Sequence, residues 1–244
     1  MDSVLDNLLF LLGQRMPRLQ SSSVKPDAKL ALETASLWRQ YGCGLLLSEL
    51  DEEGFRDGLE QAATLYRGLL RRRSACSEFD QYYLARSKGE PLFDALATGA
   101  WVLARDIAAD MTPTWMQRME AEEDFHYFGA LIALLLQRTD LDTELADFKR
   151  CLQGGQSFRF DTVKALAAAD ADAFEAGLLG MVEEQAAWVE RQQRSGVFDP
   201  YLHKTAAYVF VEGAALVQLA RHRGLKTQEQ YRLIPAPALE AARR

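Results

Sequence analysis

The chain has 244 residues, of which 48% are hydrophobic and 26% are charged. This length and composition suffice for a globular core and argue against a disordered chain. The formal net charge of −7 argues against direct binding to nucleic acid or to an anionic membrane, because both surfaces attract basic patches. An acidic balance suits a basic partner instead.

Apolar residues recur at helical spacing along the whole chain. Residues 4–12 form one apolar stripe, and the polar residues 20–25 predict a loop. A second helix opens at Pro26, and we expect it to kink at Gly42 and Gly44 before residues 45–50. The later predicted helices are 51–73, 92–109, 114–137, 142–152, 158–168, 170–194 and 203–223, followed by a terminal turn or short helix at 235–242.

The absence of period-two alternation between hairpin turns predicts an all-α fold, a bundle of helix pairs. We expect one all-helical domain over residues 1–244, with 1–110 and 111–244 as candidate halves. The longest apolar run, residues 129–136, is much shorter than a membrane-spanning helix. The N-terminus lacks the basic stretch and cleavage site of a signal peptide, and the three widely spaced cysteines fit no disulfide framework. We therefore expect a cytoplasmic protein with reduced thiols.

Two phrases in the sequence occur twice. DEEGFRDGL at residues 51–59 returns as DADAFEAGL at 170–178, and GAWVLARDI at 99–107 is echoed by GAALVQLAR at 213–221. In both copies of the first phrase, Asp is placed to cap a helix, Phe to anchor its first turn, and Gly to admit a neighbouring helix closely. The second phrase places Gly and Ala on one helical face in each copy. These echoes predict an internal duplication of a helix pair.

The sequence offers little support for catalysis. Glu122 and His126 share a helical face at a spacing that metal sites use, but a metal centre needs three or more ligands, and the sequence nominates no third. The nucleophile elbow GxSxG and the phosphate-binding GxGxxG and GxxxxGK[ST] loops are absent. We therefore predict no enzyme, no metal and no cofactor. A metal-dependent helical enzyme built on Glu122 and His126 is the weakest alternative.

Acidic residues dominate between residues 120 and 147, where Arg138 is the single Lys or Arg. This density indicates either a solubilising face or a surface that steers a basic partner, such as the phosphate-binding cleft of a nuclease. Taking the second interpretation, we predict a contact surface formed by Glu120, Glu122, Glu123, Asp124, Asp140, Asp142, Glu144 and Asp147. A second candidate contact surface is formed by Asp51, Glu52 and Glu53.

The C-terminal stretch KTAAYVFVEGAALVQLARHRGLKTQEQYRLIPAPAL, from Lys204, resembles the closing segment of small all-helical immunity proteins found beside bacterial toxins. It is similar to the immunity protein 49 family and, more loosely, to the family that neutralises PoNe-type DNases. EDFHYFGALIALLL, from Glu123, resembles the central acidic–aromatic helix of the same group. The positions that carry the C-terminal resemblance are Phe210, Glu212, Gly213, Ala214, Leu219, Ala220, Gly224, Leu225, Tyr231 and Pro235.

The resemblance covers about half of the chain; residues 199–201 and the region before Asp51 have no counterpart in it. It implies an immunity protein that binds and neutralises a cognate toxin, often a nuclease delivered by a contact-dependent, type VI-like secretion system. The partner would then be a basic toxin domain, and the oligomeric state stays open. The alternative from the residues alone is a helical-repeat adaptor that recruits another protein, with no toxin involved.

Overall fold

The computed structural model describes residues 1–21, 26–196 and 199–240. Within these residues the chain is helical and contains no β-strand, which confirms the all-α prediction. None of the described helices combines the length and apolarity needed to cross a bilayer. The helices are α1 (Asp2–Ser21), α2 (Ala28–Glu49), α3 (Glu52–Arg71), α4 (Glu90–Ala97), α5 (Trp101–Asp110), α6 (Glu122–Leu136), α7 (Leu141–Cys151), α8 (Phe158–Ala168), α9 (Ala171–Ser195), α10 (Pro200–Lys204), α11 (Val211–His222) and α12 (Ala236–Glu240).

Consecutive helices pack as pairs, α2 with α3, α6 with α7 and α8 with α9. Helix α11 packs on α4, so the two candidate halves of the chain meet in one buried cluster that extends from Ala28 to Leu239. Helix α1 lies on α2 through a smaller cluster of Val4, Leu8, Leu12 and Leu37. Short 3-10 helices between α3 and α4 cover Arg73–Ala75, Phe79–Leu84 and Arg86–Lys88, and another, Ala206–Tyr208, precedes α11.

The first repeated phrase has the predicted local roles in both copies. The carboxylates of Asp51 and Asp170 each accept the backbone N–H three residues further on, at 2.9 and 3.0 Å, and so cap α3 and α9. Phe55 and Phe174 are fully buried in the core. Each phrase therefore begins the second helix of a tightly packed pair.

The glycines of this phrase lie where two helices touch through their backbones. A Cβ on Gly58 would lie 2.8 Å from the Cα of Gly42 and 2.9 Å from the carbonyl oxygen of Trp38. A Cβ on Gly177 would lie 2.9 Å from the backbone nitrogen of Thr162. The short distance between the two helices in each of the pairs α2–α3 and α8–α9 therefore depends on glycine. A common evolutionary origin of the two pairs stays a prediction.

The glycines of α2 and of the segment between α4 and α5 have different roles in the structure. Helix α2 continues through Gly42 and Gly44 to Glu49, and Gly42 lies at the close approach to α3, while the predicted kink stays a prediction. Gly99 adopts a left-handed φ of 71° and separates α4 from α5, so the single helix predicted over 92–109 is wrong. Gly213 lies inside α11, and the second repeated phrase thus occupies different structures in its two copies.

The helix predicted over 114–137 is wrong at its start, since α6 begins at Glu122. The preceding segment folds back on itself around one carboxylate. Glu120 accepts the backbone N–H of Met116 at 3.1 Å and that of Ser87 at 3.0 Å, and its own carbonyl accepts the Trp115 indole N–H. These bonds replace the helical hydrogen bonds that the sequence pattern favours.

The helix predicted over 203–223 is also wrong, because α10 and a 3-10 helix precede α11. The Phe210 N–H donates to the carbonyl of Leu233 at 2.7 Å, which fixes the entry to α11 against the C-terminal segment. At the chain ends, α1 extends to Ser21 and α12 ends at Glu240. The remainder of the predicted 20–25 loop, residues 22–25, and residues 241–242 of the terminal turn lie outside the described residues.

Candidate functional site

A cleft of about 640 Å³ lies between α2, α4, α6, α8, α9 and the segment that enters α11. A second depression of about 570 Å³ shares part of its wall. We refer to both together as the cleft. The shared wall consists of Arg159, Gln185, Trp188, Phe210 and Glu212.

One side of the cleft is built around Arg39 of α2. Its Nε and Nη2 donate to the two carboxylate oxygens of Asp94 at 2.6 and 2.8 Å, and Nη1 donates to Glu90 at 2.6 Å. Asp94 is fully buried, and this burial raises its pKa to about 6 against the opposing effect of Arg39. Burial disfavours the charge of Arg39, but the two carboxylates outweigh it and raise the Arg39 pKa. Arg39 in turn lowers the pKa of Glu90.

The other side of the cleft is built around Arg159 of α8. Its Nε and Nη2 donate to the two carboxylate oxygens of Glu212 at 2.9 and 2.8 Å, and Nη1 contacts Asp124 at 3.3 Å. The buried Tyr127 hydroxyl donates to Glu212 at 2.7 Å, and burial, followed by the Glu212 charge, raises the Tyr127 pKa. Two guanidinium groups, each hydrogen-bonded to carboxylates on other helices, therefore connect the helices that form the cleft walls.

The cleft has an excess of acidic groups. Among the described residues that line it, five carboxylates face three guanidinium groups. Apolar surface comes from Trp188 and Phe210. A cleft of this composition favours a cationic ligand that also presents some apolar surface. Its charged residues are Glu90, Glu123, Asp124, Glu184, Glu212, Arg39, Arg159 and Arg191.

The acidic residues predicted as a contact surface have different environments in the structure. The Glu120 carboxylate accepts hydrogen bonds from the backbone N–H groups of Ser87 and Met116. Glu144 is 13% exposed and contacts Arg86 at 3.5 Å and His126 at 2.8 Å. Asp51 is used as the cap of α3, next to the half-buried Glu52 and the exposed Glu53.

Three arginines, two of them from outside residues 120–147, neutralise part of the remaining acidic charge. Arg150 contacts both Glu122 and Asp147 at 3.2 Å, Arg159 contacts Asp124, and Arg138 pairs with Asp140. A count of charges along residues 120–147 could not include Arg86, which lies in a 3-10 helix, or Arg150 and Arg159, which lie on α7 and α8. Glu123 and Asp142 are exposed, and Glu123 lines the cleft.

The structure also brings a third potential metal ligand to Glu122 and His126. One ligand atom each of Glu122, His126 and Cys151 lies within 4.8 Å of the others. Spacing within a single helix indicates Glu122 and His126 but not Cys151, which lies on α7. Cys151 joins them through the packing of α7 on α6, which places the start of α6 beside the end of α7.

The fold and the cleft define an all-α protein whose paired helices surround an acid-rich cleft. Comparisons of the chain with protein-family models, with curated proteins and with solved structures find no match. The argument for function therefore starts from the cleft and from the segments that line it.

Proposed function

We propose that the protein is an immunity protein that binds a cognate bacterial toxin and takes a basic segment of it into the cleft. The observation that carries this proposal is the acid-rich cleft between the helix pairs. Both segments that resemble immunity proteins contribute to its lining, Asp124 and Phe128 from α6 and Phe210 and Glu212 from the start of α11. The resemblance and the cleft thus favour the same region of the molecule.

A nuclease domain is the toxin class that best fits the cleft. Nucleases bind a phosphate backbone through Lys and Arg, and a cleft with excess carboxylates presents the opposite charge to those side chains. The net charge of −7 would also steer a basic domain toward the protein and accelerate its association. Delivery by a contact-dependent secretion system and a cytoplasmic site of action belong to the same proposal.

The most direct test of this function uses the gene beside the one that encodes this chain. Its product is expressed in a bacterium with and without this protein, and survival is scored. We expect the neighbouring product to kill the cells and this protein to restore growth. A harmless neighbouring product that still binds the cleft would instead support the adaptor alternative, and killing without rescue would refute immunity.

The cleft assignment needs a second test with purified proteins. Glu123 and Glu184 line the cleft, are exposed and have no role in capping a described helix, so Glu123→Lys with Glu184→Lys reverses charge at modest structural cost. We expect slower association with the toxin and an affinity about tenfold lower or worse. The matched control, Glu53→Lys with Asp142→Lys, makes the same change in net charge at exposed positions from the two sequence-predicted surfaces.

The control pair should retain the wild-type affinity to within about twofold, as exposed charges away from an interface contribute little. Thermal unfolding of each variant verifies that the fold is intact. If the control weakens binding and the cleft pair does not, the partner binds elsewhere and the cleft assignment is wrong.

A further inference from the structure

We infer that Glu122, His126 and Cys151 form a binding site for zinc or a similar divalent cation at the end of the α6–α7 pair. The ligand atoms of these three side chains lie within 4.8 Å of one another. Glu122 and His126 are one helical turn apart on α6, and Cys151 is the last residue of α7. This inference goes beyond the proposed function and does not depend on it.

The distance between the two ligands on α6 agrees with tetrahedral zinc coordination. Zinc bonds to nitrogen, oxygen and sulfur of about 2.0–2.3 Å place neighbouring ligand atoms roughly 3.3–3.8 Å apart. His126 Nε2 lies 3.8 Å from Glu122 Oε1. All three ligand atoms lie within 4.8 Å of one another, so shifts of up to about 1 Å would give the tetrahedral spacing.

A carboxylate behind the histidine already orients its ring. His126 Nδ1 lies 2.8 Å from Glu144 Oε2, and Arg86 holds the other Glu144 oxygen at 3.5 Å. His126 and Glu144 are both nearly buried, at 12% and 13% exposure. A carboxylate that receives the second ring nitrogen is the usual companion of a zinc-bound histidine, because it fixes the ring and increases its basicity. Nε2 is thereby directed toward Glu122.

The ligand chemistry selects the class of ion. Calcium and magnesium prefer all-oxygen sites, whereas a thiolate, an imidazole and a carboxylate together favour zinc. On binding, the Cys151 thiol releases its proton to solvent, and the thiolate and the Glu122 carboxylate together neutralise the two positive charges of the ion. A water molecule can supply the fourth ligand.

Arg150 is the competitor for this site in the absence of metal. Its Nη2 lies 3.2 Å from the Glu122 carboxylate and 3.2 Å from that of Asp147. The Arg150 side chain is 65% exposed, and an exposed ion pair of this kind contributes little to stability. A divalent cation can therefore displace the guanidinium into solvent. The bound ion would then fix the start of α6, from which Glu123 and Asp124 reach the cleft.

The test titrates the metal-free protein with Zn(II) by calorimetry and with Co(II) by absorption spectroscopy. We expect one ion per chain and a thiolate-to-cobalt charge-transfer band. Cys151→Ser should abolish the band, whereas the control Cys76→Ser, at a half-buried thiol outside the site, should retain it. Glu144→Gln should weaken Zn(II) binding by about 10–100-fold. Arg150→Ala should strengthen it by up to about fivefold.

Failure to bind one ion per chain, or equal affinities of wild type and Cys151→Ser, would overturn the inference. Circular dichroism verifies that each variant is folded. Should Cys151→Ser prove unstable, the alkylation rate of Cys151 in the wild type provides a second measurement. Zn(II) must then slow the alkylation of Cys151 and leave that of Cys76 unchanged, and equal rates with and without Zn(II) would refute the site.

Discussion

Replacement of Gly58 by alanine tests whether the α2–α3 pair depends on direct backbone contact. The new Cβ would lie 2.8 Å from the Cα of Gly42, 3.0 Å from its nitrogen and 2.9 Å from the carbonyl oxygen of Trp38. All three are backbone atoms, so no side chain can rotate away to make space. The two helices must therefore move apart, or one of them must bend.

The magnitude follows from two opposing effects. Ordinary contact of a Cβ begins near 3.4 Å, so the helices must separate locally by about 0.6 Å, and overpacking of this kind costs about 1–3 kcal/mol. Alanine within a helix recovers about 1 kcal/mol relative to glycine. Because only backbone atoms oppose the Cβ, we expect an overpacking cost near the upper end, about 3 kcal/mol. After the gain from alanine, the unfolding free energy should fall by about 2 kcal/mol. For a chain of this size, that corresponds to a melting temperature about 4–8 °C lower.

The matched control is Gly68→Ala, the same substitution in the same helix. Gly68 is exposed, and a Cβ there would meet no atom within 4 Å, so the variant should gain about 0.5–1 kcal/mol. Scanning calorimetry and urea unfolding compare both variants with the wild type. Gly177→Ala in α9 should be destabilised like Gly58→Ala. If Gly58→Ala is as stable as Gly68→Ala, the close-approach argument fails.

Further predictions concern a cap, a buried ion pair and a buried thiol. Asp51→Ala should lower the unfolding free energy by about 1 kcal/mol through loss of the α3 cap, measurable by urea unfolding. Asp94→Asn should lower it by about 3 kcal/mol, because Arg39 then loses its buried charge partner. Glu90→Gln, at an exposed side chain, should lower it by less than about 1 kcal/mol, and equal losses would contradict this ranking. In mass spectra after thiol labelling of the folded protein, the half-buried cysteines should be modified and Cys43 should not. A Cys43 adduct would show that its burial is wrong.

Local signals in the sequence were sufficient for much of the fold. Helix α8 has the bounds that its apolar spacing predicts, 158–168. The Asp51 and Asp170 caps were also predictable, since a capping side chain bonds to the backbone only three residues away. These features depend on short stretches of chain and need no knowledge of the tertiary structure.

The wrong helix boundaries have tertiary causes. The helix predicted over 114–137 starts late, at Glu122, because the carboxylate of Glu120 bonds to Ser87, which lies in a distant part of the sequence. The entry to α11 is fixed by a bond from Phe210 to Leu233. Periodicity within one segment contains no information about such partners, so it extends each helix too far.

The site shows the same division between local and tertiary information. The pattern indicated Glu122 and His126 as neighbours, but Cys151 joins them only through the packing of α7 on α6. The bidentate grip of Arg39 on Asp94 connects α2 to α4, and no spacing rule within one helix predicts it. Sequence therefore identified the acidic segment, while the structure determined which of its charges are already paired.

The bidentate ion pairs of Arg39 and Arg159 have a consequence for the ligand selectivity that the cleft would have. Long basic side chains ordinarily lose rotamer entropy when a ligand immobilises them. Here carboxylates on other helices immobilise both guanidinium groups during folding. Any ligand that entered the cleft would therefore meet charges at fixed spacings, and its affinity would depend on how well its own charges matched them.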